Sequence, residues 1–76
     1  MGKKRNLALT VIRKGRLVAE LTVEADPDDF GQLRQLLLEA VQRDGRTERS
    51  IGEYEMQVRL QKDPRLLTTF VASANA

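Results

Sequence analysis

The chain has 76 residues, of which 41% are hydrophobic and 32% are charged, and its formal net charge is +2. This length allows one small domain, and the composition is typical of a globular protein, so a disordered or fibrous chain is excluded. Because cysteine and histidine are both absent, disulfide bonds, thiol nucleophiles, zinc fingers and imidazole catalysis are excluded. We therefore expect a domain that is not an enzyme and that needs no metal or cofactor.

The charge is unevenly distributed along the chain. Residues 1–16 contain basic residues and no acid, whereas acids outnumber bases over residues 17–44, so we expect a basic end and an acidic end. We divide the chain into a basic arm over residues 1–5 and a single domain over residues 6–76. No apolar run is long enough to span a bilayer, and no signal peptide is recognised, which predicts a cytoplasmic protein without a membrane partner.

The first elements are two strands. Apolar residues alternate over residues 7–11 and again over residues 17–23, which is typical of half-buried strands joined as a hairpin. A two-residue turn would put the two apolar sets on opposite faces. A three-residue loop over residues 13–15 puts them on one face and pairs Leu7 with Leu21, so we expect this loop.

A helix follows the hairpin. Asp26 and Pro27 form the pattern of a cap and a first helical residue, and Gly45 is suited to the left-handed position that ends a helix. We expect a helix from about Pro27 to Asp44. Its apolar stripe consists of Phe30, Leu33, Leu36, Leu37, Ala40 and Val41.

The next segments are a connector and a third strand. Residues 46–52 are polar, and we expect no regular structure there. Residues 53–61 alternate polar and apolar side chains without interruption, which predicts a strand with one face in solvent.

Two patterns compete over residues 65–74. Apolar residues recur at helical spacing after Asp63-Pro64, which repeats the capping pattern seen before the first helix. The β-branched Thr68, Thr69 and Val71 instead favour a fourth strand. We favour the helix and keep the strand as the alternative.

These elements predict an α+β fold of ββαβ type. We expect a three-stranded, mainly antiparallel sheet in the order 2-1-3, one long helix on one face, and a short C-terminal helix or fourth strand. One helix is narrower than three strands, so a strip of apolar sheet stays open for the C-terminal segment or another subunit to cover. Strand 2 becomes an exposed edge where a second copy could pair.

Two groups of acids deserve comparison with known kinds of site. Asp26, Asp28 and Asp29 supply oxygen atoms that suit a divalent cation, but helix capping accounts for all three. Glu53 and Glu55 share a strand face, but without a pocket the simpler interpretation is an exposed strand. We therefore expect no catalytic, cofactor or metal-binding residues.

Basic residues suggest the alternative function, nucleic-acid binding. The arm and the hairpin tip lie at opposite ends of the first strand, so they do not form one patch. The solvent-facing side of the sheet carries several glutamates and no aromatic residue on which bases could stack. The residues available to this alternative are Lys3, Lys4, Arg5, Arg13, Lys14 and Arg16.

A protein interface is the function that we favour. Leu38 lies off the apolar stripe of the helix. Gly31, its neighbour on the helix surface, weakens the helix without an evident capping role, as expected where another element or another chain approaches closely. The uncharged C-terminal segment supplies further apolar residues. We expect a homo-oligomer, most simply a dimer, with a host protein as a possible further partner. The predicted interface residues are Gly31, Leu38, Leu66, Leu67, Phe70 and Val71.

The stretch VIRKGRLVAELTVEADPDDF, an amphipathic helix and then GEYEMQVRL together resemble small uncharacterised accessory proteins of actinobacterial phages. The resemblance covers most of residues 6–61 and rests on the order of elements. It implies a small cytoplasmic phage product that acts on a host protein. The hairpin and helix are also similar to the first half of ubiquitin-like β-grasp domains, but the diglycine tail of those modifiers is missing, so we expect no modifier function.

Overall fold

The computed structural model describes residues 4–72, and within this range it has the α+β fold expected from the sequence. All strand pairs are antiparallel, and the strands lie in the order β2-β1-β3-β4. The elements are β1 (Arg5–Arg13), β2 (Arg16–Ala25), α1 (Phe30–Arg43), a 3₁₀ segment (Glu48–Glu53), β3 (Tyr54–Leu60) and β4 (Asp63–Phe70). The placement of the third strand beside the first is therefore confirmed. The first residue of β1 is Arg5, which the sequence had assigned to the arm.

The C-terminal helix that we favoured is wrong, and the alternative, a fourth strand, is right. Leu60 pairs with Asp63, so only two residues connect β3 to β4, and a connection this short leads directly back along the neighbouring edge. Pairing there satisfies the backbone groups of β3, which a helix would leave open. Because the segment joins the edge of the sheet, it widens the sheet and does not cover its face.

The turn between β1 and β2 differs from the predicted loop. Lys14 and Gly15 both have positive φ, 52° and 78°, as required in the two-residue turn that suits the twist of a hairpin. The three-residue loop is therefore wrong. The register is wrong with it, since Leu7 pairs with Val23 and not with Leu21.

A β-bulge resolves the conflict that led to the wrong register. Val11 pairs with Ala19, but the next residue, Ile12, pairs with Leu17, so Val18 is an extra residue in β2. One extra residue reverses the alternation of the strand. After the bulge, Ala19, Leu21 and Val23 therefore lie on the same face of the sheet as the buried residues of β1, in agreement with the alternation in the sequence.

The helix begins three residues later than predicted. The side chain of Asp29, not Asp26, caps it by accepting a hydrogen bond from the Gln32 N–H at 3.1 Å. Asp26 closes a turn instead: its carbonyl accepts from the Asp29 N–H at 3.1 Å and its side chain from the Asp28 N–H at 2.9 Å. Pro27 takes the second position of this turn, where its fixed φ is favourable.

The end of the helix agrees with the prediction. Gly45 has φ of 82°, and its N–H donates to the Gln42 carbonyl at 3.0 Å while the Arg46 N–H donates to the Val41 carbonyl at 3.1 Å. These two bonds form the Schellman motif, which satisfies the last carbonyls of a helix.

The core lies between α1 and one face of the sheet. Ile51, from the segment predicted to lack regular structure, is completely buried in it. That prediction is therefore wrong for residues 48–52, because a 3₁₀ segment, which also includes Glu53 from the predicted third strand, directs one apolar side chain inward. The core residues are Leu7, Leu9, Val11, Ala25, Leu33, Leu37, Ala40, Val41, Ile51, Tyr54, Met56 and Val58.

Replacing Ile51 by alanine tests the role of the 3₁₀ segment. Since the side chain is fully buried, Ile51→Ala should lower the free energy of unfolding by between about 2 and 5 kcal/mol through lost burial and the cavity left behind. The matched control is Leu17→Ala, whose side chain is 62% exposed and whose loss should change stability by less than about 0.5 kcal/mol. Urea unfolding measures both; equal effects would contradict the packing described.

Candidate protein-interaction surface

Exposed apolar side chains lie along β4, on both faces of the sheet, and at the nearby residues Phe30 and Val71. The exposed fractions are 48% for Leu66, 46% for Leu67, 60% for Val71 and 62% for Phe30, while Phe70 is half-buried. We call these five residues the β4 patch. Large apolar side chains grouped at a strand edge mark interaction sites more often than single exposed ones do.

Phe30 of α1 and Phe70 of β4 form the part of the β4 patch on the helix side of the sheet. Their rings stack with centroids 6.1 Å apart and planes inclined by 25°, and they line a groove of about 350 Å³ together with Thr68, Thr69 and Val71. Phe30 was assigned to the core stripe, but it is the first residue of the helix and extends past the covered part of the sheet. If Asp29 had been recognised as the helix cap, Phe30 would have been predicted at the first helical position and not in the core stripe.

The β4 edge has little protection by charge. Its only charged residues, Asp63 and Arg65, lie at the start of the strand and pair with each other, with Nη2 and Oδ2 2.8 Å apart. This hydrogen-bonded contact lowers the pKa of Asp63 below its ordinary value. Residues 66–72 carry no charge, although edge strands are usually guarded by charged side chains against pairing with other chains. Within residues 4–72, no strand pairs with the outer side of β4.

The opposite edge, β2, is better guarded by charge. Glu20 and Glu24 are exposed on it and lie on the same face as Thr22. If two copies paired antiparallel through β2 about Thr22, Glu20 would lie opposite Glu24 of the other copy, and like charges directly opposite are destabilising. Strand 2 was predicted as the edge where a second copy could pair. The charges make β4 the better edge for this pairing.

Of the predicted interface residues, Leu66, Leu67 and Phe70 lie on β4, and Val71 follows it. Leu66 pairs with Arg59 and Phe70 with Met56, so these two side chains lie on opposite faces of the sheet. Leu38 is half-buried and packs against the core. A Cβ atom placed on Gly31 would contact only the Asp29 side chain, at 3.5 Å, so no other element of the described chain approaches this glycine closely.

The basic residues at the hairpin tip are partly neutralised. Arg13 donates to the Glu53 carboxylate at 2.8 and 3.2 Å, and its guanidinium lies 5.9 Å from the centre of the Tyr54 ring. The Lys14 Nζ lies 3.9 Å from the same carboxylate. The hydrogen bonds from Arg13 lower the pKa of Glu53 below its ordinary value. The Arg13 guanidinium is therefore paired with Glu53 inside the domain and is less available to bind phosphate groups.

The basic residues of the N-terminal arm do not join the hairpin tip. Lys4 and Arg5 are exposed at the opposite end of β1, and Lys3 lies outside the described residues. Arg16 belongs to the hairpin tip: it pairs with Arg13, and both residues line a groove of about 270 Å³ whose wall also contains Asp44. The structure thus keeps Lys4 and Arg5 apart from the hairpin tip, as expected from the sequence.

Tyr54 connects the sheet to the end of the helix. Its hydroxyl donates to the Asp44 carboxylate at 2.6 Å. Burial raises the pKa of the Tyr54 hydroxyl, and the bond to Asp44 raises it further. The hydroxyl therefore stays protonated as a donor across the physiological range.

Two further observations concern bound groups and membranes. Among the residues that the structure describes, no three side chains of the metal-binding types lie close enough to hold an ion. In the same part of the chain, no helix has the length and apolarity needed to cross a bilayer.

Comparison with protein-family models, with curated proteins and with solved structures finds no match to this chain.

The ion pair at the hairpin tip predicts a dependence of stability on pH. Because the pKa of Glu53 is lower in the folded than in the unfolded chain, the contribution of the pair is complete above the ordinary pKa of 4.5. It is lost as the pH falls from there through the folded pKa. Glu53→Gln should flatten this part of the curve of unfolding free energy against pH, and Arg13→Gln should do the same. Unchanged acid dependence in both variants would show that the pair does not form in solution.

Proposed function

We propose that this chain is a non-catalytic protein-interaction module that forms a homodimer through the outer edge of β4. The observation that supports the proposal most directly is the β4 patch, an apolar and almost uncharged strand edge in a domain whose other edge carries glutamates. Such an edge offers unpaired backbone groups and apolar side chains at once, which are the two requirements for adding a strand.

A two-fold axis perpendicular to the sheet satisfies both requirements. Antiparallel pairing of β4 with its copy would join two four-stranded sheets into one continuous sheet and would put both α1 helices on the same face. With the axis at the middle of β4, between Leu66 and Leu67, these two leucines of each copy would lie near the axis, where burial of apolar side chains contributes most to association.

We further propose that the dimer is a cytoplasmic accessory protein of phage or mobile-element type that acts by binding a host protein. The support for this part is the resemblance of residues 6–61 to small phage accessory proteins. Dimerisation would present two copies of every other surface of the domain to that partner.

A lysine at the centre of the β4 patch should disrupt the dimer. Sedimentation of the unmodified chain should give twice the monomer mass of 8.6 kDa, and Leu67→Lys should raise the dimer dissociation constant at least about tenfold, because a buried charge without a partner opposes association. The matched control is Leu17→Lys, which adds the same charge at an exposed leucine of the hairpin and should leave the mass unchanged. A monomer at the highest soluble concentration, or equal effects of both variants, would contradict the proposal.

The dependence on salt distinguishes this proposal from nucleic-acid binding. Apolar association does not weaken as salt is added, whereas binding to phosphates weakens steeply because counterions are released. Association that requires nucleic acid and disappears in high salt would identify the basic residues as the functional ones and would overturn the interaction module.

A further inference from the structure

The edge of β2 borders two shallow grooves, one on each face of the sheet. The groove on the helix side has a volume of about 290 Å³. Its apolar lining includes Leu21 and Val23 of β2 and Leu36 of α1, all half-buried. The groove on the outer face also has about 290 Å³ and is lined in part by Glu20 and Thr22. Both grooves therefore meet at the same stretch of edge.

We propose that the β2 edge binds an extended peptide whose side chains alternate between apolar and basic. An added strand directs successive side chains to opposite faces of a sheet. One set would enter the helix-side groove and the other set would lie on the outer face. Strand addition beside a helix is a known way to recognise peptides, in which backbone bonds give affinity and the grooves give specificity.

The side chains of β2 define the sequence that fits. Residues directly opposite in an antiparallel pair share a face. The positions opposite Leu21 and Val23 would be apolar, those opposite Glu20 and Glu24 would be basic, and the one opposite Thr22 would be a small polar residue. The matching peptide is therefore basic, apolar, threonine, apolar, basic in order.

Charge favours a basic peptide at this edge over a second copy of the chain or a nucleic acid. The β2 strand of a second copy would place glutamates opposite each other. The β4 patch of a second copy is uncharged and has no basic side chain that could pair with Glu20 or Glu24. The same two carboxylates repel nucleic acid. Arg43 is the only base that lines the helix-side groove, and Glu39 lines it as well, so the carboxylates dominate this edge.

This inference does not rest on the proposed dimer. β2 and β4 are opposite edges of the sheet, so a dimer formed through β4 leaves β2 free in each copy. Peptide binding and dimer mass can therefore be measured separately, and either can fail without the other.

The experiment uses a fluorescent peptide containing Lys-Val-Thr-Val-Lys and a second one with glutamate in place of both lysines. Fluorescence anisotropy with the full chain should show saturable binding of the basic peptide and much weaker binding of the acidic one. Glu20→Lys should weaken binding of the basic peptide about tenfold, because an attractive cross-strand pair becomes repulsive, and should strengthen binding of the acidic peptide.

Glu55→Lys is the matched control. Glu55 lies on the same outer face but on β3, opposite Ile12 and away from the β2 edge, so this variant should bind both peptides like the unmodified chain. Amide shifts in the NMR spectrum should change on addition of the basic peptide in β2 and in residues 36–43 of α1. Changes in β4 instead, equal effects of the two lysine variants, or no binding of the basic peptide would overturn the proposal.

Discussion

A single helix has to cover a sheet of four strands, and this mismatch in width decides which residues are buried. Four strands extend over about 14 Å between the outer strand axes, whereas a helix with its side chains is about 10 Å wide. The inward residues of the central strands β1 and β3, such as Leu9 and Val58, are completely covered. Those of the outer strands, such as Leu21 and Phe70, are only half-buried. Both surfaces proposed for binding arise from this incomplete cover.

The helix is held against the sheet at both ends. Phe30 stacks on Phe70 of β4 at the start, and the bond from Tyr54 to Asp44 fixes the end. The turn at Gly45 then leads the chain into the 3₁₀ segment, which adds Ile51 to the core. Both contacts favour one position of α1 on the sheet and therefore one shape of the grooves beside β2 and β4, and a preformed groove binds with less loss of conformational entropy.

The sequence predicted the elements whose signals are local. Alternation over short stretches identified β1, β2 and β3, and a glycine with positive φ ended α1 where expected. Features set by distant residues were missed. The bulge at Val18 depends on how β2 pairs with β1. The apolar residues of the C-terminal segment fit both a helix and a strand, and the free edge of β3 selects the strand. The same error affected the candidate surface. Leu66 and Leu67 were predicted to be interface residues, but the favoured helix did not place them on a strand edge.

The two edges of the sheet differ in charge, and this difference is the reason why we propose a separate role for each. β4 is almost without charge beyond Arg65, so two identical edges can meet without repulsion, and a symmetric contact requires this of every residue near its axis. β2 alternates half-buried apolar residues with Glu20 and Glu24, which penalises a copy of itself and favours a basic strand. A small domain with one edge suited to itself and one suited to a different sequence can join copies and select a partner at the same time.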